Sequence, residues 1–378
     1  MPDFDVVVCG LGAMGSAALH ALAARGKRVL GLERHKPGND RGSSHGATRI
    51  IRLGYFEHPS YVPLLRRAYA LWRDLERASG LSLVHRAGIL EIGSPESDLV
   101  RGTLASSRTH GLTHEVLSAS QLMRRYPAFA LPADYVGVLQ PDGGWLAVEA
   151  AFAAWISLAA RAGAEMRSGD VVHQFEESSG GVRVHTSVGA VEAGAAIVAV
   201  GAWTQSLMPS FALPLRVTRE VMGWFAPCKP ALCTSDRLPV FLLESRHGMH
   251  YGIPPEAANS AAGIKVAKHH HRGETVDPDA HDRNISPEDE ALIRGALADH
   301  VPAANGPLLA ATTCLYTVTP DHHFIIDRVS GSSRIILVSA CSGHGFKFAP
   351  VIGEIVADLA TLEHTSHDIT RFRLYRFD

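Results

Sequence analysis

The chain opens on Phe4-Asp5-Val6-Val7-Val8-Cys9-Gly10-Leu11-Gly12-Ala13-Met14-Gly15, runs on through an Ala/Leu-rich stretch over 16–25, and turns at Gly26. Val29-Leu30-Gly31-Leu32 and Glu33 follow. Three consecutive valines in the first run give it the composition of a strand buried on both faces. The order is strand, Gly-x-Gly-x-x-Gly, helix, strand, acid. Gly10 permits the tight turn, Gly12 lets backbone approach a pyrophosphate with no side chain in the way, and Gly15 lets the helix pack closely on the strand. The helix N-terminus offers N–H groups and a positive dipole end to phosphates. Glu33 stands 21 residues after Gly12, where a carboxylate accepts hydrogen bonds from ribose hydroxyls. The stretch predicts a dinucleotide-binding βαβ unit. Its acid disfavours a 2′-phosphate, and so NADP, and leaves NAD and FAD open.

The rest of the composition suits this start. A length of 378 residues predicts two closely packed domains rather than one simple core. Hydrophobic residues make up 46% and charged residues 20%, enough apolar material for a sizeable core. Lys+Arg 36 against Asp+Glu 38 argues against a nucleic-acid binder or a membrane-surface protein, both of which need a basic face. No apolar run approaches the roughly 18–20 residues of a membrane span. The acidic start does not read as a signal peptide. Five dispersed cysteines fit a reducing compartment, so the expectation is a soluble cytoplasmic α/β protein.

Beyond the first unit, 61–80 carries Leu64, Ala68, Leu71, Trp72 and Leu75 at helical spacing. Strands are expected over 88–93, 135–140, 195–200 and 335–340, and helices over 151–162 and 350–360. A hairpin pairs 171–175 with 182–186 across Gly180-Gly181. From 94 to 126 the pattern is polar and helical. From 215 to 314 short strand-like pieces dominate, with a polar stretch over 269–289 that includes a surface loop. Strand–glycine–helix units at both ends of the chain imply a nucleotide domain built from both termini, with a substrate domain threaded through the middle.

Gly42-Ser43-Ser44-His45-Gly46-Ala47-Thr48-Arg49-Ile50-Ile51-Arg52 concentrates hydroxyls, glycines and two arginines ahead of the first long amphipathic helix. Hydroxyls and backbone N–H groups suit phosphate or flavin edges, and arginine supplies a permanent positive charge. In a helical turn Arg49 and Arg52 would share a face. The plain alternative is a solvated loop. Cys314, among apolar neighbours, reads on its own as an inert buried thiol. Lys347, beside Phe346 in the glycine-containing Cys341-Ser342-Gly343-His344-Gly345-Phe346-Lys347, fits either a snorkelling lysine or a buried anion partner. Lys268-His269-His270-His271 has no supporting metal-ligand spacing, so no metal is expected.

Three segments taken in order resemble the monomeric sarcosine oxidase and N-methyltryptophan oxidase family: 42–52, Cys314-Leu315-Tyr316-Thr317 with Asp321-His322-His323-Phe324-Ile325-Ile326-Asp327, and Ser342-Gly343-His344-Gly345-Phe346-Lys347-Phe348. The resemblance covers nearly the whole chain. It implies FAD and the D-amino-acid-oxidase-like fold: a Rossmann-like FAD-binding domain over 1–85, 145–214 and 320–378, and a β-rich substrate domain over 86–144 and 215–319. It further implies a covalent thioether from Cys314 to the flavin, and a substrate carboxylate held by Arg52 and Lys347. Arg49 would lie near the flavin ring, Lys265 act on oxygen, and His269, Tyr316 and His344 belong to the active site. Gly10, Gly12, Gly15, Glu33, Ser43, Ser44, His45, Arg49, Trp203, Cys314, Gly345, Phe346 and Lys347 would contact the cofactor. The implied reaction is oxidation of an N-methyl amino acid by O2 in a monomeric enzyme, giving amino acid, formaldehyde and hydrogen peroxide. Oxidation of cyclic imino acids or fructosyl-amino acids on the same fold is the alternative, and a non-catalytic FAD-binding protein is the rival from another class. Glu220 after Arg219, where relatives often carry glutamine, and Ala47 in place of an acid are departures. The segment from Thr370 to Leu374 leans toward the N-methyltryptophan branch.

Overall fold

The structure is a computed structural model and describes residues 2–377. Phe4–Cys9, as its valine run predicts, is a central strand. It pairs in parallel with Val29–Glu33 on one side and Gly189–Val198 on the other. Glu165–Ser168 extends the parallel edge beyond Val29–Glu33. Gly189–Val198 is long enough to serve two neighbours: its first half pairs with Gly181–Thr186 and its end with Ile335–Ser339. Val172–Ser178 and Ile325–Arg328 complete an eight-stranded sheet.

Helices Ala13–Ala24, Tyr61–Ser79, Val148–Arg161 and Ala349–Leu362 bury their apolar faces on one side of this sheet. Small residues set how closely they approach. A Cβ on Gly353 would sit 2.6 Å from the main chain of Ala17, so the first and last of these helices meet backbone to backbone. Segments remote in sequence thus share one core.

A second eight-stranded sheet runs Leu308–Val318, Arg216–Phe225, Ile264–Lys268, Gly248–Ile253, Val240–Ser245, Ile89–Gly93, Val136–Gln140, Glu115–Ser118. Its neighbours are antiparallel except Ile89–Gly93 beside Val240–Ser245. Helix Pro287–His300 packs on it, opened by Ser286 and Asp289, whose side chains and backbone N–H groups cap each other. A third, separately paired sheet of three strands, Thr48–Ile51, Gly144–Ala147, Val84–Arg86, packs Ile50 and Trp145 against Ile89 and Val240 of the second. No helix among the described residues is long and apolar enough to cross a membrane.

The structure departs from the expected elements in informative places. The first helix begins at Ala13, directly after Gly12, because the glycine loop itself closes into the helix. The region 94–126 is two helices, Asp98–His110 and Ala119–Arg125, split by strand Glu115–Ser118. The short pieces expected over 215–314 include two long strands, Arg216–Phe225 and Leu308–Val318, paired along their lengths. Arg49 does not sit in a helical turn. Thr48-Arg49-Ile50-Ile51 is a strand, as three β-branched residues favour.

Candidate active site

The glycine loop builds one end of a cleft of about 400 Å³ that reaches both large sheets. Gly10 adopts φ +86°, a conformation that favours glycine. A Cβ on Gly15 would lie 1.8 Å from the Gly10 carbonyl oxygen, whereas one on Gly12 would meet only Ser44 Oγ at 3.7 Å. Gly15 is therefore required by the protein's own packing, while Gly12 leaves open space in the cleft. Glu33 closes the loop from below: its carboxylate accepts from Leu11 N–H at 2.7 Å and His35 N–H at 2.9 Å and still lines the cleft. Ser44 Oγ accepts from Ala13 N–H at 3.3 Å, tying the 42–52 segment to the helix start.

A matching device stands at the other terminus of the chain. A Cβ on Gly345 would lie 1.8 Å from the Ala340 carbonyl, so the turn after Ile335–Ser339 folds as tightly as the first. Gly343, at φ +79°, would drive a Cβ to 2.5 Å from both His269 and Tyr316. Those two rings close on the cleft because position 343 has no side chain.

The far end belongs to the second sheet. In strand Leu308–Val318, Cys314 lies opposite Glu220 and Tyr316 opposite Thr218. Alternation puts Cys314 and Tyr316 on one face, and both line the cleft. Burial pushes the Cys314 thiol up to about 12, against the pull of Arg49 and Lys265. Arg49 spans from its strand to the carbonyls of Ser43 and Thr48, both at 2.8 Å. Lys265 lies just behind the lining, its Nζ donating to the carbonyls of Gly46 at 2.7 Å and Thr48 at 2.8 Å. Burial, and then Arg49, hold its proton affinity well below the usual lysine range. Burial also holds His269 well below the ordinary histidine range.

Arg52 and Lys347 meet in a buried charged pocket with partners that carry no motif. Arg52 donates to both Glu57 oxygens at 2.8 and 2.9 Å and lies 3.2 Å from Glu91. Its guanidinium stacks over Tyr55 and Phe56. Burial raises Glu91 to about 7 despite Arg52, whereas Arg52 draws Glu57 below its ordinary value against burial. Lys347 Nζ donates to the His344 carbonyl at 2.6 Å and lies 3.4 Å from Tyr55 Oη. Burial, reinforced by Arg52, lowers Lys347 to about 7.

Of the residues singled out in the sequence, Gly10, Gly12, Glu33, Ser43, Ser44, Arg49, Arg52, Trp203, His269, Cys314, Tyr316, His344, Gly345, Phe346 and Lys347 line this cleft. Gly15, His45 and Lys265 stand behind it. His45 is buried, its Nε2 has no partner, and burial lowers it to about 4. The histidine tract is not wholly part of a surface loop: His269 faces the cleft, and His271 is buried against Asp289 at 3.0 Å. Sequence reasoning missed Tyr55, Glu57, Glu91 and Asp279. Only Glu91 left a signal, as a carboxylate inside the apolar strand Ile89–Gly93. Asp279 lines the cleft, accepting from Trp203 Nε1 at 2.9 Å and from Arg34 at 3.0 Å.

The fold and cleft define a dinucleotide-dependent α/β protein, with a glycine-loop phosphate cradle opposite a buried cationic pocket. The open space at Gly12, the Glu33 carboxylate and the tight turns at Gly15 and Gly345 fit FAD. The family model for the FAD dependent oxidoreductases (DAO) matches residues 5–359, and the chain belongs to that family. It is 40% identical to a monomeric sarcosine oxidase of Streptomyces avermitilis over 98% of this chain and 97% of the relative. It is 34% identical to an N-methyl-L-tryptophan oxidase of Salmonella dublin over 99% of each chain. Among solved structures, NikD, described as an unusual amino acid oxidase essential for nikkomycin biosynthesis, superposes with a TM-score of 0.86 at 29% identity, covering 98% of this chain and 97% of its own. An L-proline dehydrogenase from P. horikoshii shares the fold at 22% identity and a TM-score of 0.85, over 100% of this chain and 98% of its own.

Proposed function

We propose that this protein is an FAD-dependent oxidase of N-methyl amino acids, with the glycine-loop half of the chain holding the cofactor and the second sheet forming most of the substrate side. One observation carries the reading: a phosphate cradle shares a single cleft with buried Arg52 and Lys347 and half-buried Arg49. Bound FAD would supply the acceptor for the two electrons that leave with the hydrogen of the carbon beside the amine; with the proton lost from the amine nitrogen, the two electrons and two protons account for reduction of O2 to hydrogen peroxide.

The chain's own residues position the substrate. Arg52 and Lys347 bind the substrate carboxylate, and binding at two points fixes the amine relative to the cleft, which removes orientation from the barrier. Arg52 is already shared with Glu57 and Glu91, so Lys347 is the less committed cation. The surrounding positive groups favour the neutral, oxidisable form of the bound amine. Tyr316, His269 and His344 wall the pocket. Gly10, Gly12, Gly15, Glu33, Ser43, Ser44, Trp203, Gly345 and Phe346 shape the cofactor site, with His45 packed behind it. Cys314, which lines the cleft, would attach the flavin through a thioether. Lys265, behind Arg49, favours negative charge developing on oxygen. The protein acts as a monomer on this reading.

The test is an amine panel of sarcosine, N-methyltryptophan, pipecolate and a fructosyl-amino acid, read by peroxide release and by anaerobic bleaching of the yellow enzyme. Bleaching with an N-methyl amino acid and one peroxide per turnover are expected. Turnover confined to pipecolate or the sugar adduct would transfer the assignment to those classes, and a yellow protein that no amine bleaches would be a non-catalytic flavoprotein.

A further inference from the structure

Behind the cationic pocket lies a row of polar groups whose donor and acceptor roles can be assigned without seeing a hydrogen. His344 Nε2 is 2.9 Å from the main-chain carbonyl oxygen of His322. A carbonyl only accepts, so Nε2 carries the hydrogen. Burial lowers His344 to about 4, so at neutral pH the ring holds one proton and Nδ1 is bare. Nδ1 lies 2.7 Å from Tyr55 Oη and therefore accepts from it. The phenol hydrogen being committed to His344, Tyr55 Oη faces Lys347 Nζ, 3.4 Å away, as an acceptor. Tyr55, His344 and Lys347 are 0%, 8% and 5% exposed, so water does not offer a ready substitute for these partners.

We propose that Tyr55 and His344 are positioning residues for Lys347: the hydrogen bonds run one way, from the lysine through Tyr55 into His344, and end on the carbonyl of His322. This rests on Lys347 holding the substrate carboxylate. Two of the ammonium hydrogens point at protein oxygens, Tyr55 Oη and the His344 carbonyl, which leaves the third for a ligand. Both His344 nitrogens are engaged within the protein, so the ring orients its neighbours rather than taking a proton from the substrate. The anchor has its own device. His322 adopts φ +59°, rare for a non-glycine residue, in a turn where its N–H donates to Thr319 O at 3.1 Å. That turn sets the carbonyl which receives His344.

The test uses holoenzyme and three variants, Tyr55→Phe, Lys347→Met and the double substitution. Tyr55→Phe keeps the ring that packs on Tyr61 and Phe348 and lies under Arg52. Flavin content and melting temperature report on folding. For an N-methyl amino acid, Tyr55→Phe raises KM about tenfold, the usual worth of one hydrogen bond, with a smaller change in kcat. In the Lys347→Met background the same change adds less than about twofold, because the two residues act as one unit. An unchanged KM in Tyr55→Phe, or an equal effect with and without Lys347, overturns the proposal. If Lys347→Met itself leaves KM unchanged, the carboxylate reading falls and takes this proposal with it. A raised KM there with none in Tyr55→Phe defeats the positioning role alone. Nitrogen-15 spectra of histidine-labelled enzyme, with the His344 signal assigned by its loss in His344→Gln, give an independent measure. An Nε2–H tautomer is expected, and an Nδ1–H tautomer refutes the direction of the row.

Discussion

Gly12 and Gly15 stand three residues apart in one motif, yet substitution by alanine should fail in two different ways. A Cβ on Gly15 would sit 1.8 Å from the Gly10 carbonyl oxygen, with Gly10 carbon at 2.9 Å and Val8 Cγ1 at 3.4 Å. The two closest atoms are backbone, so the first helix must withdraw by more than 1 Å to restore an ordinary contact of roughly 3.2 Å. It cannot do so freely, because Ala17 and Ala18 are pressed against Gly353 of the last helix. Overpacking of this kind costs about 1–3 kcal/mol, and the backbone clash puts Gly15→Ala at the upper end. For a chain of this length that is a loss of roughly 4 °C in Tm. Gly12 has φ −68° and ψ −167°, which alanine adopts without strain, and its Cβ would enter open space. Gly12→Ala should therefore melt within about 1 °C of the parent when both lack flavin, since such a change is neutral or slightly stabilising. Its methyl group instead occupies the cradle and lowers FAD retention. The assay is calorimetry on protein expressed under riboflavin starvation, followed by FAD titration. An unperturbed melt for Gly15→Ala, or a destabilised flavin-free Gly12→Ala, would refute the division of labour between the two glycines.

Three further outcomes are expected. Cys314→Ser releases its flavin on acid precipitation while the parent does not; free flavin from the parent would remove the thioether. Lys265→Met leaves anaerobic flavin reduction by substrate within about threefold and slows reoxidation by O2 by at least about tenfold, the size of one lost charge interaction; equal slowing of both half-reactions would take oxygen chemistry away from Lys265. For stability, Lys347 holds its proton to about 7 when folded against 10.5 ordinarily, so between those values the unfolded chain binds more protons and its contribution rises with pH. Melting scans of ligand-free enzyme from pH 7 to 10 should rise relative to those of Lys347→Met, and parallel curves would show that the lysine is not buried as described.

Local signals made the first βαβ unit legible. A valine run, a spaced glycine triplet and an acid each constrain the backbone within a few residues, and the structure places them as read. The cleft residues of 42–52 are legible as chemistry but not as shape: the hydroxyls and arginines carry a chemical signal, while the β-branched Thr48, Ile50 and Ile51 make the segment a strand against the helical spacing of Arg49 and Arg52. Cys314 shows the converse. Its surroundings read as an inert core thiol, and burial does push it toward that state. What sets it apart is its place on the cleft, which depends on pairing with a strand nearly a hundred residues earlier. Tyr55 and Asp279 are illegible for the same reason, whereas Glu57, only five residues from Arg52, simply carries no motif. Single polar residues in loops gain meaning only when folding brings His344 or Arg34 to them.

The cleft starts at a turn of the first sheet and ends on a strand of the second, and the segment carrying Asp279 and Arg283 reaches back to Arg34 and Asp40. A molecule filling that space works as a dowel between two sheets with distinct apolar interiors, adding to the direct ties that Arg34, Arg283 and Lys265 already make between them. Loading it strengthens that coupling, so the filled chain should melt at higher temperature than the emptied one.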